Sequence, residues 1–159
     1  YATGFNAITG SFDRINIQGV NGSKLKDQWG AKLETFLAVH VTNFPNMFMI
    51  NGPQGMGGNH PRNIEYNVEW ITDLINHMRE RDLTRAEATR EAVESWAGHV
   101  REKGEGLLSN EVDSWMTGIN SNIEGRQTRI IARYSGSAQS YRGRCDDVAA
   151  SGYEELNLS

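Results

Sequence analysis

Four glycines fall within the nine residues 51–59. The run just before them, 47–50, is apolar on both faces, which is typical of a central strand covered on both sides. Just after them, apolar residues recur at helical spacing, at Ile64, Val68, Ile71, Ile75 and Met78. Asn59 or Asn63 can cap this helix, and Pro61 suits its first turn. The sequence therefore predicts a strand, a glycine-rich loop and a helix N-terminus in succession.

The loop at 51–59 has two interpretations. A helix N-terminus carries about half a positive charge and several unpaired N–H donors, which can hold an anionic or electron-rich ligand atom. Glycine lets such a ligand approach the backbone closely. The same composition also suits a loop whose glycines only need positive φ. The residues of the loop leave both interpretations open.

The remaining patterns are shorter. Residues 12–17 predict a strand, and Asn21 and Gly22 a turn after it. A helix is predicted over 90–103 from the apolar stripe Val93, Trp96, Ala97 and Val100. This helix starts either with a capping box at Thr84 or with Thr89 as its cap after a short extended piece.

The last third of the chain begins with a polar stretch, 104–128, that reads as a long loop. A strand is predicted over 130–134. A third helix is marked by Tyr141, Cys145, Val148 and Ala149. Gly152 can terminate this helix, and 153–158 can return as an edge strand.

Composition excludes several classes of function. The 159 residues are enough for one domain that needs no disulfide or metal to fold, and the net charge of −4 argues against nucleic-acid binding. No apolar run approaches the roughly 20 residues that cross a bilayer, and 1–10 has no features of a signal peptide, so we expect no membrane partner and a cytoplasmic location. The single cysteine, Cys145, lies on an apolar stripe and is expected in the core rather than as a nucleophile. The histidines lack the spacing of a zinc site.

Seven short segments carry a family resemblance. They are ATGF at 2–5 with TG at 9–10, LKDQW at 25–29, FPNMFMINGP at 44–53, the pattern N-x-x-x-x-IE-x-x-VEWI at 59–71, SWMTG at 114–118, NIEGR at 122–126 and CDDVAASGY at 145–153. In this order they resemble the C-terminal part of the Baeyer–Villiger monooxygenases, which are class B flavoprotein monooxygenases. The resemblance covers almost the whole chain.

The resemblance implies an α/β fold, the C-terminal portion of a Rossmann-like architecture with two dinucleotide-binding domains, one for FAD and one for NADPH. Residues 1–10 would then cross from the NADPH domain to the FAD domain. Residues 11–159 would complete the FAD-binding domain and include, at about 104–128, a mobile loop that closes over cofactor and substrate.

The resemblance also assigns roles to single residues. Gly52, Pro53, Asn59 and His60 match positions that face the flavin of FAD, with a backbone N–H near His60 directed at the pyrimidine carbonyl. Met56 and Gly57 match positions that border the substrate pocket.

Three residues of the mobile loop match positions that contact NADP: Trp115, Asn122 and Arg126. This copy of the loop has Glu124 where the family has proline, and Arg126 where the family has lysine. Loss of the proline loosens the turn, and the added carboxylate changes the charge of the loop.

The activity implied is that of a monooxygenase that uses FAD, NADPH and O₂ to insert one oxygen atom next to a ketone carbonyl, giving an ester or lactone. The glycine fingerprints for both cofactors, and the arginine that stabilises the peroxyflavin in relatives, are expected upstream of this chain. The remainder of the FAD and NADPH domains is thus an implied partner, and the chain alone is expected to be inactive. Two alternatives stay open: a flavin monooxygenase that oxidises nitrogen or sulfur, and a stand-alone binding module without catalysis.

Overall fold

The computed structural model of the chain describes residues 8–119 and 129–159. Its helices are α1 (Gly10–Asp13), α2 (Leu25–Ala31), α3 (His60–Arg79), α4 (Arg90–Gly104), α5 (Leu108–Glu111) and α6 (Ala138–Ala150). Short 3₁₀ turns lie at Val20–Gly22 and Trp115–Thr117. The strands of the described part are β1 (Ala86–Ala88) and β2 (Leu156–Leu158), which pair antiparallel.

The start of α3 confirms the predicted cap. The side chain of Asn59 accepts a hydrogen bond from the Arg62 N–H at 3.2 Å. Pro61 lies in the first turn, where its missing N–H costs no helical hydrogen bond.

The buried face of α3 differs from the predicted stripe in its first half. Ile64 and Val68 are each 41% exposed, whereas Asn63 and Asn67 are buried. Both asparagines have partners in the interior: Asn63 Nδ2 donates to the Gly57 carbonyl at 3.4 Å, and the Asn67 side chain contacts a tyrosine of α6. Hydrophobic spacing alone is a poor guide here because satisfied amides occupy two core positions.

The second and third predicted helices are confirmed. The Thr89 side chain accepts from the Ala92 N–H at 3.1 Å, so α4 starts at the later of the two predicted caps, directly after β1. The four residues of its predicted stripe are buried. At the end of α6, Gly152 adopts φ 75°, and the Tyr153 N–H donates to the Val148 carbonyl at 2.9 Å, which is the predicted glycine stop.

Residues 12–17 do not form the predicted strand. The segment begins inside α1, which is closed by a hydrogen bond from the Asp13 N–H to the Thr9 carbonyl at 2.9 Å. The turn predicted after it is confirmed, because Asn21 and Gly22 have φ of 55° and 74°.

The predicted strands at 47–50 and 130–134 are also wrong. Asn46 and Asn51, at φ 58° and 62°, bracket the first run, so its extended part is too short for a ladder. Its backbone bonds run from the Met49 N–H to the Val39 carbonyl and from the Met47 N–H to the Phe44 carbonyl. The second run makes an isolated parallel bridge, between Tyr134 and Met56. Neither run belongs to a sheet within the described residues.

Two hydrophobic clusters hold these pieces together. The larger one joins α3, α4, α6 and the turn at 36–39, with Trp96 stacked on Tyr134 at 5.2 Å between ring centroids. The smaller one joins α2 to the segments around Val41, Met49 and Ala132. Along the chain, the glycine-rich loop connects Met49, which belongs to the smaller cluster, with α3, which belongs to the larger one.

Candidate functional site

A cavity of about 350 Å³ opens where the glycine-rich loop meets α3. Five of the residues that the sequence assigned to flavin and substrate line it: Gly52, Pro53, Met56, Gly57 and His60. The structure therefore brings together residues predicted separately as cofactor and substrate positions. Asn59 is directed elsewhere: it caps α3 and lines a neighbouring cleft of about 660 Å³ that also includes the start of α6.

Gly52 is fixed by its own chain. Its N–H donates to the Ala38 carbonyl at 3.1 Å, and a Cβ at this position would stand 2.6 Å from the same oxygen. Close approach of two backbone segments therefore requires glycine here, whatever ligand the loop holds.

A buried polar network anchors the loop from below. Gln54 is 3% exposed, and its Oε1 accepts from the Thr35 N–H at 2.9 Å. The Thr35 hydroxyl donates to the Pro53 carbonyl at 2.9 Å. On the other side, the Gln54 N–H donates to the Ala132 carbonyl at 2.8 Å. These bonds hold the cavity floor without using the side chains that face the opening.

The helix start at the cavity edge retains a free donor. Within residues 8–119 and 129–159 the backbone N–H of His60 has no acceptor. Beside it, the Asn51 amide Nδ2 lies 3.0 Å from His60 Nδ1. When Nδ1 accepts this bond, the neutral imidazole carries its proton on Nε2. The edge thus presents N–H donors and the positive end of a 20-residue helix.

Outside the loop 51–59 and the start of α3, the sequence assigned no role to four lining residues: Ile8, Met116, Ala132 and Arg133. Arg133 reaches the cavity because the bridge between Tyr134 and Met56 lays the segment 129–134 along the loop. In the sequence, Arg133 stands out as a single charged residue within the apolar run 130–134. Its place at the cavity follows only from the long-range bridge, which the sequence does not reveal.

The structure describes only part of the predicted NADP residues. Trp115 begins a 3₁₀ turn, and the structure describes its backbone but not its side chain. Asn122 and Arg126 lie outside the described residues. Their assignments stay predictions.

Cys145 lies away from the cavity, in the core, where it is 2% exposed. Burial raises the pKa of its thiol to about 12, so the nucleophilic thiolate is not populated near neutral pH. Among the described residues no group of three or more His, Cys, Asp or Glu side chains is placed to hold a metal ion. In the same part of the chain, no helix combines the length and apolar character needed to cross a membrane.

Several known proteins match this chain over almost its whole length. No family model matches. Cyclohexanone 1,2-monooxygenase of Acinetobacter sp. is 38% identical over 157 residues, which are 99% of this chain and 28% of that protein. Phenazine N-monooxygenase of Lysobacter antibioticus is 37% identical over 99% of this chain and 29% of its own length. A Baeyer–Villiger monooxygenase of Pseudooceanicola batsensis is 35% identical over 98% of this chain and 28% of its own length.

Solved structures agree with this result. A closed crystal structure of cyclohexanone monooxygenase matches with a TM-score of 0.92 at 36% identity, over 99% of this chain and 29% of the other. The chain is a homologue of part of the Baeyer–Villiger monooxygenases. The resemblance seen in the sequence and the expected flavoprotein fold are both confirmed.

The chain spans less than a third of the length of the curated relatives it matches, at 28% and 29% of the first two. Cyclohexanone monooxygenase of Rhodococcus sp. Phi1 bound to NADP⁺ matches with a TM-score of 0.92 at 35% identity, over 99% of this chain and 29% of that one. The helices and loops of this chain therefore match one portion of the fold of those larger enzymes.

Proposed function

We propose that this chain is part of an FAD- and NADPH-dependent monooxygenase that converts a ketone to an ester or lactone. In this reaction NADPH supplies two electrons, one oxygen atom of O₂ enters the bond beside the carbonyl, and the other leaves as water. The observation that carries the proposal is the gathering of five predicted flavin and substrate residues around one cavity, in a chain homologous to Baeyer–Villiger monooxygenases. In the relatives, structures are recorded with NADP and with FAD and NADP.

The residues at the cavity fit a flavin. The His60 N–H, which has no acceptor among the described residues, and the positive end of α3 suit the pyrimidine edge of the ring, where negative charge develops on reduction. FAD, when bound, supplies the redox and oxygen chemistry. Gly52 and Pro53 keep the loop close to the backbone segments that they contact, and Asn59 fixes the residue at which α3 begins.

The other assignments follow from the same proposal. Met56 and Gly57 form part of the substrate wall, and Trp115, Asn122 and Arg126 contact NADP. Residues 1–10 cross between the two domains and 11–159 complete the FAD domain, with a mobile segment at about 104–128. The partners are the remainder of the FAD and NADPH domains, a ketone and O₂, and the protein acts in the cytoplasm.

Oxidation of a cyclic ketone by the full-length protein tests the proposal. With FAD, NADPH and O₂ present, we expect a lactone as product and consumption of NADPH in equal amount. A Gly57→Phe variant should change the relative rates on small and large ketones while flavin content stays unchanged, because residue 57 lies on the cavity wall. If the protein retains FAD but forms no lactone from any ketone tested, the proposal is contradicted.

A second candidate is oxidation of an aromatic nitrogen. The relative from Lysobacter antibioticus, named a phenazine N-monooxygenase, is 37% identical to this chain, against 38% for the cyclohexanone enzyme. Parallel assays with cyclohexanone and phenazine separate the two activities, because one yields a lactone and the other an N-oxide. The product that accumulates faster identifies the natural reaction.

A further inference from the structure

We propose that Arg133 selects anionic substrates, and that the natural substrate is a keto acid whose carboxylate binds this guanidinium. The inference rests on the proposed function for the carbonyl chemistry. It adds the chemical class of the substrate, which neither the fold nor the names of the relatives give.

The charge of the cavity carries the first step. Arg133 lines it together with apolar and small residues, among them Met56, Met116 and Ala132. No Asp or Glu of the described residues lines this cavity. An isolated cation on an apolar wall attracts an anion, and a guanidinium matches a carboxylate with two parallel hydrogen bonds.

The second step is that Arg133 is not used by the fold. Within residues 8–119 and 129–159 its guanidinium makes neither a hydrogen bond nor an ion pair. Arg129, four residues earlier, provides the contrast: it donates to the carbonyls of Asn110 and Val112 and pairs with Asp113. Arg129 is thus a structural arginine, and Arg133 has donors available for a ligand.

The third step concerns Gly57. A Cβ at this position would stand 3.0 Å from Arg133 Cδ and 3.6 Å from its Nη1. The missing side chain therefore leaves room for the arginine to lie along the loop, over the cavity. Met56 and Gly57, assigned to the substrate wall, are the residues beside which the arginine lies, so its charge acts on the substrate end of the cavity.

The test compares a keto acid with its ester in the full-length protein. We suggest 4-oxocyclohexanecarboxylate and its methyl ester, which differ in charge but share the reacting carbonyl. In the wild type we expect the lower KM for the acid. Arg133→Met should raise the KM for the acid about tenfold and change that for the ester less than twofold. The KM of Arg133→Lys for the acid should lie between those of the wild type and Arg133→Met, because lysine keeps the charge without the bidentate geometry.

Two further variants sharpen the test. Gly57→Ala should raise the KM for the acid by about two- to threefold, since the flexible end of Arg133 must shift. Arg90→Met removes an exposed arginine of α4 that does not line the cavity and should change neither KM. Added KCl should weaken acid binding in the wild type and have little effect in Arg133→Met.

Other outcomes overturn the inference. An equal rise in the KM for the acid and for the ester in Arg133→Met refutes selection by charge. A fall in FAD content or a higher KM for NADPH in Arg133→Met, with acid and ester affected alike, shows that the arginine holds a cofactor phosphate instead. If no form oxidises either the acid or the ester, the proposed function has failed. Calorimetric binding of the keto acid to wild type and Arg133→Met still decides the role of Arg133, because binding needs no turnover.

Discussion

The phenol hydroxyl of Tyr141 donates a hydrogen bond to the backbone carbonyl of Leu37, at 2.8 Å and across 104 positions of the chain. Leu37 and its neighbour Ala38 both adopt positive φ, at 52° and 58°. Gly52 packs against the Ala38 carbonyl, so a helix near the end of the chain supports the turn against which the cavity loop rests.

Removal of this hydroxyl should destabilise the protein. In Tyr141→Phe the Leu37 carbonyl stays buried without its partner, and we expect the free energy of unfolding to fall by about 1–3 kcal/mol. Urea unfolding followed by tryptophan fluorescence measures the change. Tyr66→Phe is the matched control, because its hydroxyl bonds the exposed Asp146 and its loss should cost less. Equal stability of Tyr141→Phe and wild type contradicts the prediction.

His40 should make the protein sensitive to acid. It is 1% exposed, its Nε2 has no hydrogen-bond partner in the part of the chain that the structure describes, and burial lowers its pKa to about 3. The unfolded chain binds this proton near pH 6.5, so the stabilisation is complete above that pH and is lost as the pH falls toward 3. The expected slope is about 1.4 kcal/mol per pH unit between roughly pH 6 and 4.

His40→Phe removes this titration. Its neighbours are the rings of Phe36, Phe48 and Trp70, which suit another aromatic side chain. Plots of unfolding free energy against pH should therefore be flatter for the variant by that slope. Parallel plots for the two proteins show that His40 is not the titrating group.

Two glycines should respond to alanine in opposite directions. Gly52→Ala places a Cβ 2.6 Å from the Ala38 carbonyl, so the loop must shift and the melting temperature should fall. Gly143 lies within α6 with no atom within 4 Å of an added Cβ. Gly143→Ala should stabilise the protein by about 0.5–1 kcal/mol through helix propensity. Calorimetry of both variants checks the pair, and the same sign for both contradicts the prediction.

Asn59 should act through the cap that it forms. Asn59→Ala leaves the Arg62 N–H without its acceptor and should cost about 1 kcal/mol. Asn59→Ser restores a capping oxygen and should recover most of that loss. Chemical unfolding of the three proteins measures both steps. A serine variant as unstable as the alanine variant assigns Asn59 another structural role.

Cys145 should be unreactive in the folded protein. Its thiol is buried and its pKa is raised to about 12, so a thiol reagent at pH 8 should label it slowly in buffer and rapidly in denaturant. Absorbance of the released aromatic thiolate follows the reaction. Stoichiometric labelling within seconds in buffer contradicts a core position.

Local signals could be read from the sequence, and pairings could not. The starts of α3 and α4 depend on Asn59 and Thr89, which bond N–H groups only three residues away. The runs at 47–50 and 130–134 have the composition of buried strands, but apolar patterns report burial rather than a partner. Their backbone bonds depend on contacts with distant segments, at Val39 and Gly55.

The cavity shows the same division. Glycines in the loop 51–59 made that loop a candidate, because its composition departs from that of any helix or strand, but only the family resemblance assigned its residues to a site. Arg133 could not be identified as a site residue, since it enters only through the bridge of Tyr134 to Met56, which lie far apart along the chain. The exposure of Ile64 and burial of Asn67 were equally hidden, because a satisfied amide looks polar in a sequence.

The loop that forms the cavity is supported by backbone hydrogen bonds and by the side chains of Thr35 and Gln54. These supporting groups do not form the outward-facing wall of the cavity. Positions 56, 57 and 133 can consequently be exchanged while these supporting groups persist. Directed evolution at these three codons could thus change the charge and shape of the cavity without rebuilding its support.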